Sequence, residues 1–248
     1  MSNVLNISAY KFVALDEPAL VRDGIRARAH ELQLKGTVLL ATEGINLVLA
    51  GASSAVREFI AWLRRDVRFA DLAAKESHSE QVPFRRLLVK VKREIIRMDC
   101  SSIRPQVGRA PVVDAATLAR WLDRGCDDDA RPVITLDARN AFEVAYGRFR
   151  DSIHFELSKF SDFPAALAAR RAELEGKTVV SYCTGGIRCE KAAMLMRDLG
   201  LEHVVQLDGG ILKYFEEVGT SHWQGRCFVF DGREALAGDL RPAAGTEL

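Results

Sequence analysis

The 248-residue chain reads as an α/β protein, with a ferredoxin-like (split βαβ) N-terminal domain followed by an α/β domain with a mainly parallel sheet. Three observations predict this. In the first hundred residues, strand-like and helix-like segments follow one another in the order β-α-β-β-α-β. From Pro132 onward, continuous apolar runs alternate with helical patterns, as strands buried on both faces of a parallel sheet do. Between the two halves, Cys100–Pro111 carries two prolines and a glycine and shows no periodicity, which marks a linker. The boundaries so drawn are 1–98, a linker at 99–111, a second domain at 112–225 and a C-terminal tail at 226–248.

Each element has its own warrant. Residues 4–13 (VLNISAYKFV) are rich in β-formers and predict a strand. A helix over 17–33 has Asp16 available as N-cap and Pro18 in its first turn, with Leu20, Val21, Ile25, Ala29 and Leu32 at helical spacing. Gly36–Thr42 and Ile45–Ala50 are apolar runs separated by Glu43-Gly44, a hairpin pattern. Ser53 or Ser54 caps a helix running to Arg64 with Val56, Phe59, Ile60 and Leu63 on one face, and FRRLLVKVK at 84–92 closes the set as a strand. In the second half, Asp114 caps a helix that runs through Arg124 and stops at Gly125. VITLDA after Pro132 is a buried strand, followed by a helical piece at Ala141–Tyr146 and an amphipathic stretch at 162–175. Then come a second buried strand at Thr178–Tyr182, a glycine-containing loop, a helix over 190–199 and a short strand at His203–Leu207. The polar terminus AGDLRPAAGTEL reads as a frayed tail.

Composition narrows the function classes. Hydrophobic content of 48% and charged content of 28% are those of a folded chain, not a disordered or fibrous one. The net charge of +1 hides an asymmetry: residues 1–110 carry 18 Lys/Arg against 12 Asp/Glu, and residues 111–248 carry 17 against 22. The basic front half suggests an anionic partner, against the blander reading of two solvated surfaces. Five cysteines at irregular spacing do not form a disulfide framework, and the opening MSNVLNISAYKFVAL lacks the pattern of a signal peptide. No apolar run approaches the ~18 residues of a membrane span. A cytoplasmic protein with reduced thiols and no membrane association is expected. The chain has no CxxC pair, its five His residues are scattered, and it lacks GxGxxG, so no metal site and no internal cofactor is expected.

The chemistry is concentrated at Val179–Ala192. A buried strand runs into Cys183, then Thr184, Gly185, Gly186 and Ile187, then Arg188 and Cys189 at a helix start. Ligands bind at the carboxyl ends of strands in open α/β sheets. Gly185 and Gly186 let backbone N–H groups turn inward, and the following helix adds free N–H groups and its positive dipole end. A sulfur in such a ring is stabilised as thiolate, below the free value of ~8.5, with Arg188 adding positive charge. Cys183 as a small buried hydrophobe at a strand end is the blander reading, which the glycines and arginine together disfavour.

These residues carry a family resemblance. CTGGIR resembles the active-site loop of rhodanese domains, in which a cysteine takes up sulfur as a persulfide. Leu136-Asp-Ala-Arg139-Asn-Ala-Phe-Glu143 with Gly147 is similar to the family's DVR…E…GH segment, with Ala138 and Arg148 in place of valine and histidine. Val204–Ile211, with Gly209 and Gly210, resembles its last strand. Four residues separate Cys183 from Arg188, against five in phosphatases of similar fold, a smaller ring that suits sulfur better than phosphate. The longer string YCTGGIRCEKA, with ATEGIN at 41–46, the basic strand near residue 90 and WQGRCFVFD at 223–231, is similar to the bacterial tRNA uridine hydroxylase family, which pairs an acylphosphatase-like domain with a rhodanese-like one. The resemblance implies oxygen-dependent conversion of the wobble uridine of tRNA to 5-hydroxyuridine, with Cys183 as the required cysteine. Molecular oxygen and an unidentified electron donor are implied as co-reactants. Many relatives continue into a cysteine-rich C-terminal extension after the FVFD segment.

The resemblance gives the basic front half a task. Arg85, Arg86, Lys90, Lys92 and Arg93 form a stripe suited to RNA phosphates, with Phe84 or Tyr182 able to stack on a base, although core packing is the commoner fate of both aromatics. Cys189 is a candidate resolving thiol for an oxidised Cys183, against a packing role at the helix start. Cys183 is expected to act either by adding to C6 of uridine or as a persulfide. Two other readings stand beside hydroxylation: a rhodanese-type sulfurtransferase, and a non-catalytic tRNA-binding protein with a vestigial loop.

Overall fold

A computed structural model describes residues 4–243. The chain divides into two compact units, the first running through Arg97 and taking in Phe230–Arg233, the second comprising Met98–Val229 and the chain from Glu234.

The first unit is built from β1 (Val4–Phe12), α1 (Pro18–Glu31), β2 (Lys35–Ala41), β3 (Gly44–Ala52), α2 (Ser53–Leu63), β4 (Ala74–Ser79) and β5 (Leu87–Val91). Strand order is β4-β1-β3-β2-β5, antiparallel except for β5, which runs parallel to β2. The first six elements make the split βαβ pattern, and β5 is an added edge. On β1, alternate residues Leu5, Ile7 and Ala9 are buried, and they meet Ile25 and Ala29 of α1 and Val56, Phe59 and Ile60 of α2.

Four local expectations are corrected. The strand expected at 84–92 is β5, not the fourth strand; that place belongs to β4, AKESHS, whose polar composition hid it. The hairpin turn is Thr42-Glu43, because Gly44 already pairs with Ala41 and Phe12. Gly44 has φ +146° and a Cβ there would lie 2.0 Å from the Lys11 carbonyl oxygen, so its glycine serves close strand approach rather than the turn. Asp16 does not hold an N-cap position and neither Ser53 nor Ser54 does: these places belong to Glu17 and Ala52, without side-chain cap bonds.

The second unit contains β6 (Val112–Val113), α3 (Ala115–Arg124), β7 (Val133–Asp137), α4 (Ala141–Val144), β8 (Gly147–Phe149), β9 (Ile153–His154), α5 (Phe163–Arg170), β10 (Thr178–Tyr182), α6 (Ile187–Asp198), β11 (Val204–Leu207), α7 (Gly210–Val218), β12 (Trp223–Gly225), β13 (Cys227–Phe228) and β14 (Ala235–Leu236). Its main sheet, β6-β11-β10-β7-β9, is wholly parallel. Asp114 caps α3 by accepting from Thr117 N at 2.8 Å, and Gly125 ends it with φ +71°. All five residues of β10 are buried, as its apolar run requires.

Two segments expected to be loose are built into this unit. In the stretch read as a linker, Ile103 and Ala110 are buried, and Gln206 donates to the Pro111 and Ala110 carbonyls. In the stretch read as a tail, β13 pairs with β14, Cys227 is fully buried, and Ala243 N donates to Ala235 O. Residues 244–248 lie outside the described residues. Among the described residues, no helix is long and apolar enough to cross a membrane. No group of three or more His, Cys, Asp or Glu among them is placed to hold a metal.

Candidate active site

β10 lies between β7 and β11, so its carboxyl end delivers Cys183 to the centre of the sheet's ligand-binding edge. The chain then turns through Gly186, at φ +99°, into α6, which begins at Ile187 rather than near residue 190. Arg188 and Cys189 therefore sit in the helix's first turn. The Cys183 sulfur is fully buried and accepts from Gly186 N at 3.2 Å. The backbone N–H groups of Arg188 and Cys189, in the first turn of α6, also favour its anion. Burial by itself would push the thiol up. The hydrogen bond from the Cys189 thiol, the Arg188 charge and the loop amides outweigh burial and bring Cys183 down to about 5. The neighbouring thiols go the other way: burial raises Cys189 well above the usual thiol range and Cys227 to about 12.

The outer side of the loop is held by α7. Ile211 N donates to Cys183 O at 3.0 Å and Leu212 N to Thr184 O at 3.1 Å. In a trans peptide the N–H points opposite the C=O, so these two bonds turn the amides of Thr184 and Gly185 away from α7 and toward the inside of the ring. Gly210 permits the approach: a Cβ there would lie 2.4 Å from Cys183 O and 2.7 Å from Gly186 N.

Arg188 is a paired charge. Its two terminal nitrogens donate to the two carboxylate oxygens of Glu143 at 2.5 and 2.7 Å, with both side chains buried. Glu143 also accepts from Asn140 N at 3.1 Å at the start of α4. Behind it, Arg139 is bidentate to Asp137 at 2.9 and 2.6 Å and donates to the Gly147 and Glu143 carbonyls. Burial disfavours the Arg139 charge, but Asp137 more than restores it. The guanidinium also lies 5.3 Å from the Trp223 ring centre and 5.9 Å from that of Tyr182. Asp137, Arg139, Glu143 and Gly210 thus support the loop. The sequence showed Asp137, Arg139, Glu143 and Gly210 only as a family pattern, because Glu143 meets Arg188 45 positions along and Gly210 meets the loop only in the folded chain.

The structure places the remaining candidates as follows. Tyr182 is fully buried among Phe149 and Trp223, so it offers no face to a base, which corrects one stacking expectation. Phe84 is half-buried in the first unit. Arg85, Arg86, Lys90, Lys92 and Arg93 are all exposed, on or beside edge strand β5, whose inner face is marked by buried Val89. Val91, two residues on from Val89 along the strand, is 38% exposed where the strand ends.

A buried parallel sheet ending in a glycine-turned cysteine loop, with a poised thiolate, defines a rhodanese-type domain. The Rhodanese-like domain family model matches residues 115–217, and the UPF0176 acylphosphatase like domain matches residues 4–95. Over nearly the full chain, the protein is 62% identical to the tRNA uridine(34) hydroxylase of Variovorax paradoxus, covering 98% of this chain and 93% of that one. It is 62% identical to that of Delftia acidovorans, over 97% and 91%, and 59% identical to that of Bordetella pertussis, over 98% and 100%. The chain belongs to the tRNA uridine(34) hydroxylase family.

Proposed function

We propose that this chain hydroxylates C5 of the uridine at position 34 of tRNA, giving 5-hydroxyuridine, with Cys183 as the nucleophile. The observation that carries the reading is the full-length relationship to proteins of that name, in a chain that keeps a poised thiolate in its loop. In this scheme the thiolate adds to C6 of the base, and the displaced electron pair accumulates at C5. C5 then captures one atom of an electrophilic oxygen species derived from molecular oxygen. Two electrons from an external donor and two protons take the other oxygen atom to water. Loss of the C5 proton and departure of the thiolate from C6 restore the double bond. The inward amides of the loop receive the sulfur each time it returns as an anion.

Arg85, Arg86, Lys90, Lys92 and Arg93 would track the phosphates of the RNA in the cytoplasm, and Cys189 would trap an oxidised Cys183 as a disulfide. Molecular oxygen and the external donor are the co-reactants, with no metal or bound cofactor in the scheme. The test is nucleoside mass spectrometry of tRNA from a deletion strain complemented with wild-type or Cys183→Ser protein. The wild type restores 5-hydroxyuridine and the variant does not; restoration by the variant overturns the covalent scheme. The four-residue spacing between Cys183 and Arg188 favours one second reading, sulfur transfer through a Cys183 persulfide. Robust thiocyanate formation from cyanide and thiosulfate without RNA would favour that reading over hydroxylation.

A further inference from the structure

We infer that Glu43 and Asn46 are positioning residues for RNA: together they clamp the backbone of Ile95 and so hold the exposed Lys92-Arg93 corner in the shape that receives a phosphodiester backbone. The inference deepens the proposed reading of the basic stripe as the RNA contact and rests on it. The string ATEGIN at 41–46 lies in the first unit, and the thiolate chemistry leaves it without a task. Its side chains have one. The Glu43 carboxylate, nearly buried, accepts from Ile95 N at 2.7 Å, and the Asn46 amide donates to Ile95 O at 3.2 Å. One hairpin thus takes both backbone polar groups of a single residue, whose side chain is itself buried.

The clamp falls just past a strand end. β5 stops at Val91, Lys92 N still donates to Leu40 O at 2.7 Å, and Ile95 is the next fixed point, so only Arg93 and Glu94 lie between the two anchors. This stretch belongs to no helix or strand, and a chain leaving an edge strand in that way ordinarily samples many shapes. A carboxylate acceptor makes the stronger kind of anchor. The anchoring turn is held in its turn, because Glu43 O accepts from Val13 N at 2.9 Å and Thr42 O from Leu15 N at 3.0 Å. Lys92 and Arg93 stay exposed, the Arg93 side chain by 76%, with its guanidinium 4.0 Å from the Glu94 carboxylate. Two cations on a backbone already fixed can meet phosphates without the ordering cost of a loose loop.

The test is a double-mutant cycle on the full chain, read as the affinity for unmodified tRNA in filter binding at fixed salt. Glu43→Ala should weaken binding about five- to tenfold, the scale of reordering one or two long side chains on association. In a Lys92→Ala, Arg93→Ala background the same change should have no further effect, because the cations it positions are gone. Glu43→Gln keeps a carbonyl oxygen for Ile95 N and should return affinity toward wild type. Unchanged binding in Glu43→Ala, or an equal loss in both backgrounds, overturns the inference, since a merely structural glutamate would act whether or not the cations are present. If Glu43→Ala does not fold, Asn46→Ala, which removes only the second bond, goes through the same cycle with the same two outcomes. The two readings fail separately. A Lys92→Ala, Arg93→Ala protein that binds tRNA like wild type removes this corner of the stripe, and the inference with it. Weak binding by that protein beside normal binding by Glu43→Ala overturns the clamp alone.

Discussion

At the residue scale, the depressed Cys183 pKa is a statement about stability. A thiol that titrates at ~8.5 when unfolded and at about 5 when folded stabilises the native state fully above ~8.5, and that contribution is lost as pH falls toward 5. The stability difference between wild type and Cys183→Ala should therefore grow between pH 5 and 8.5, by at most ~1.4 kcal/mol per pH unit, as measured by urea unfolding. A flat difference would mean the sulfur is not held as an anion. Glu143 gives a second prediction. Glu143→Gln leaves the buried Arg188 without its counter-charge and should cost about 3–5 kcal/mol, read as a lower midpoint in the same denaturation. The loop itself was legible because cysteine, two glycines and arginine have individual conformational and electrical meanings at that spacing. Its support was not, since nothing local in Glu143 announces a partner 45 positions away.

At the element scale, α7 is part of the site although none of its side chains faces the sulfur in the hydrogen-bond geometry. Gly210→Ala should push the loop away from α7 and turn the Thr184 and Gly185 amides, raising the Cys183 titration midpoint. A destabilising change elsewhere on α7, such as Phe215→Leu, should lower thermal stability without moving that midpoint. Sequence patterns revealed the elements whose burial is one-sided or complete. VITLD and TVVSY are apolar enough to read as central strands. β4 escaped because, of AKESHS, only Ser79 is buried, and an edge strand needs little apolar content. α7 was readable from Ile211, Tyr214, Phe215 and Val218 at helical spacing, but the glycine pair before it looked like the end of a strand.

At the scale of the whole molecule, charge and chemistry are carried by different units. If the β5 stripe tracks phosphates, Lys90→Ala with Lys92→Ala should weaken tRNA binding and flatten its salt dependence, by ~0.7–0.9 in the log–log slope per lost contact. The Cys183 titration should not change. Filter binding over a salt series checks the first, and an unchanged slope would remove the stripe from RNA contact. The division of the chain also bears on how the protein is made. The first unit is completed by Phe230–Arg233, where Gly232 N donates to Pro83 O at 2.9 Å and Arg233 to Ser77 Oγ at 2.7 Å. A ribosome releases the first 97 residues long before it supplies those four. The N-terminal body must therefore wait, with Ser77 and Pro83 uncovered, until the second unit's Met98–Val229 stretch and the chain up to Arg233 have emerged.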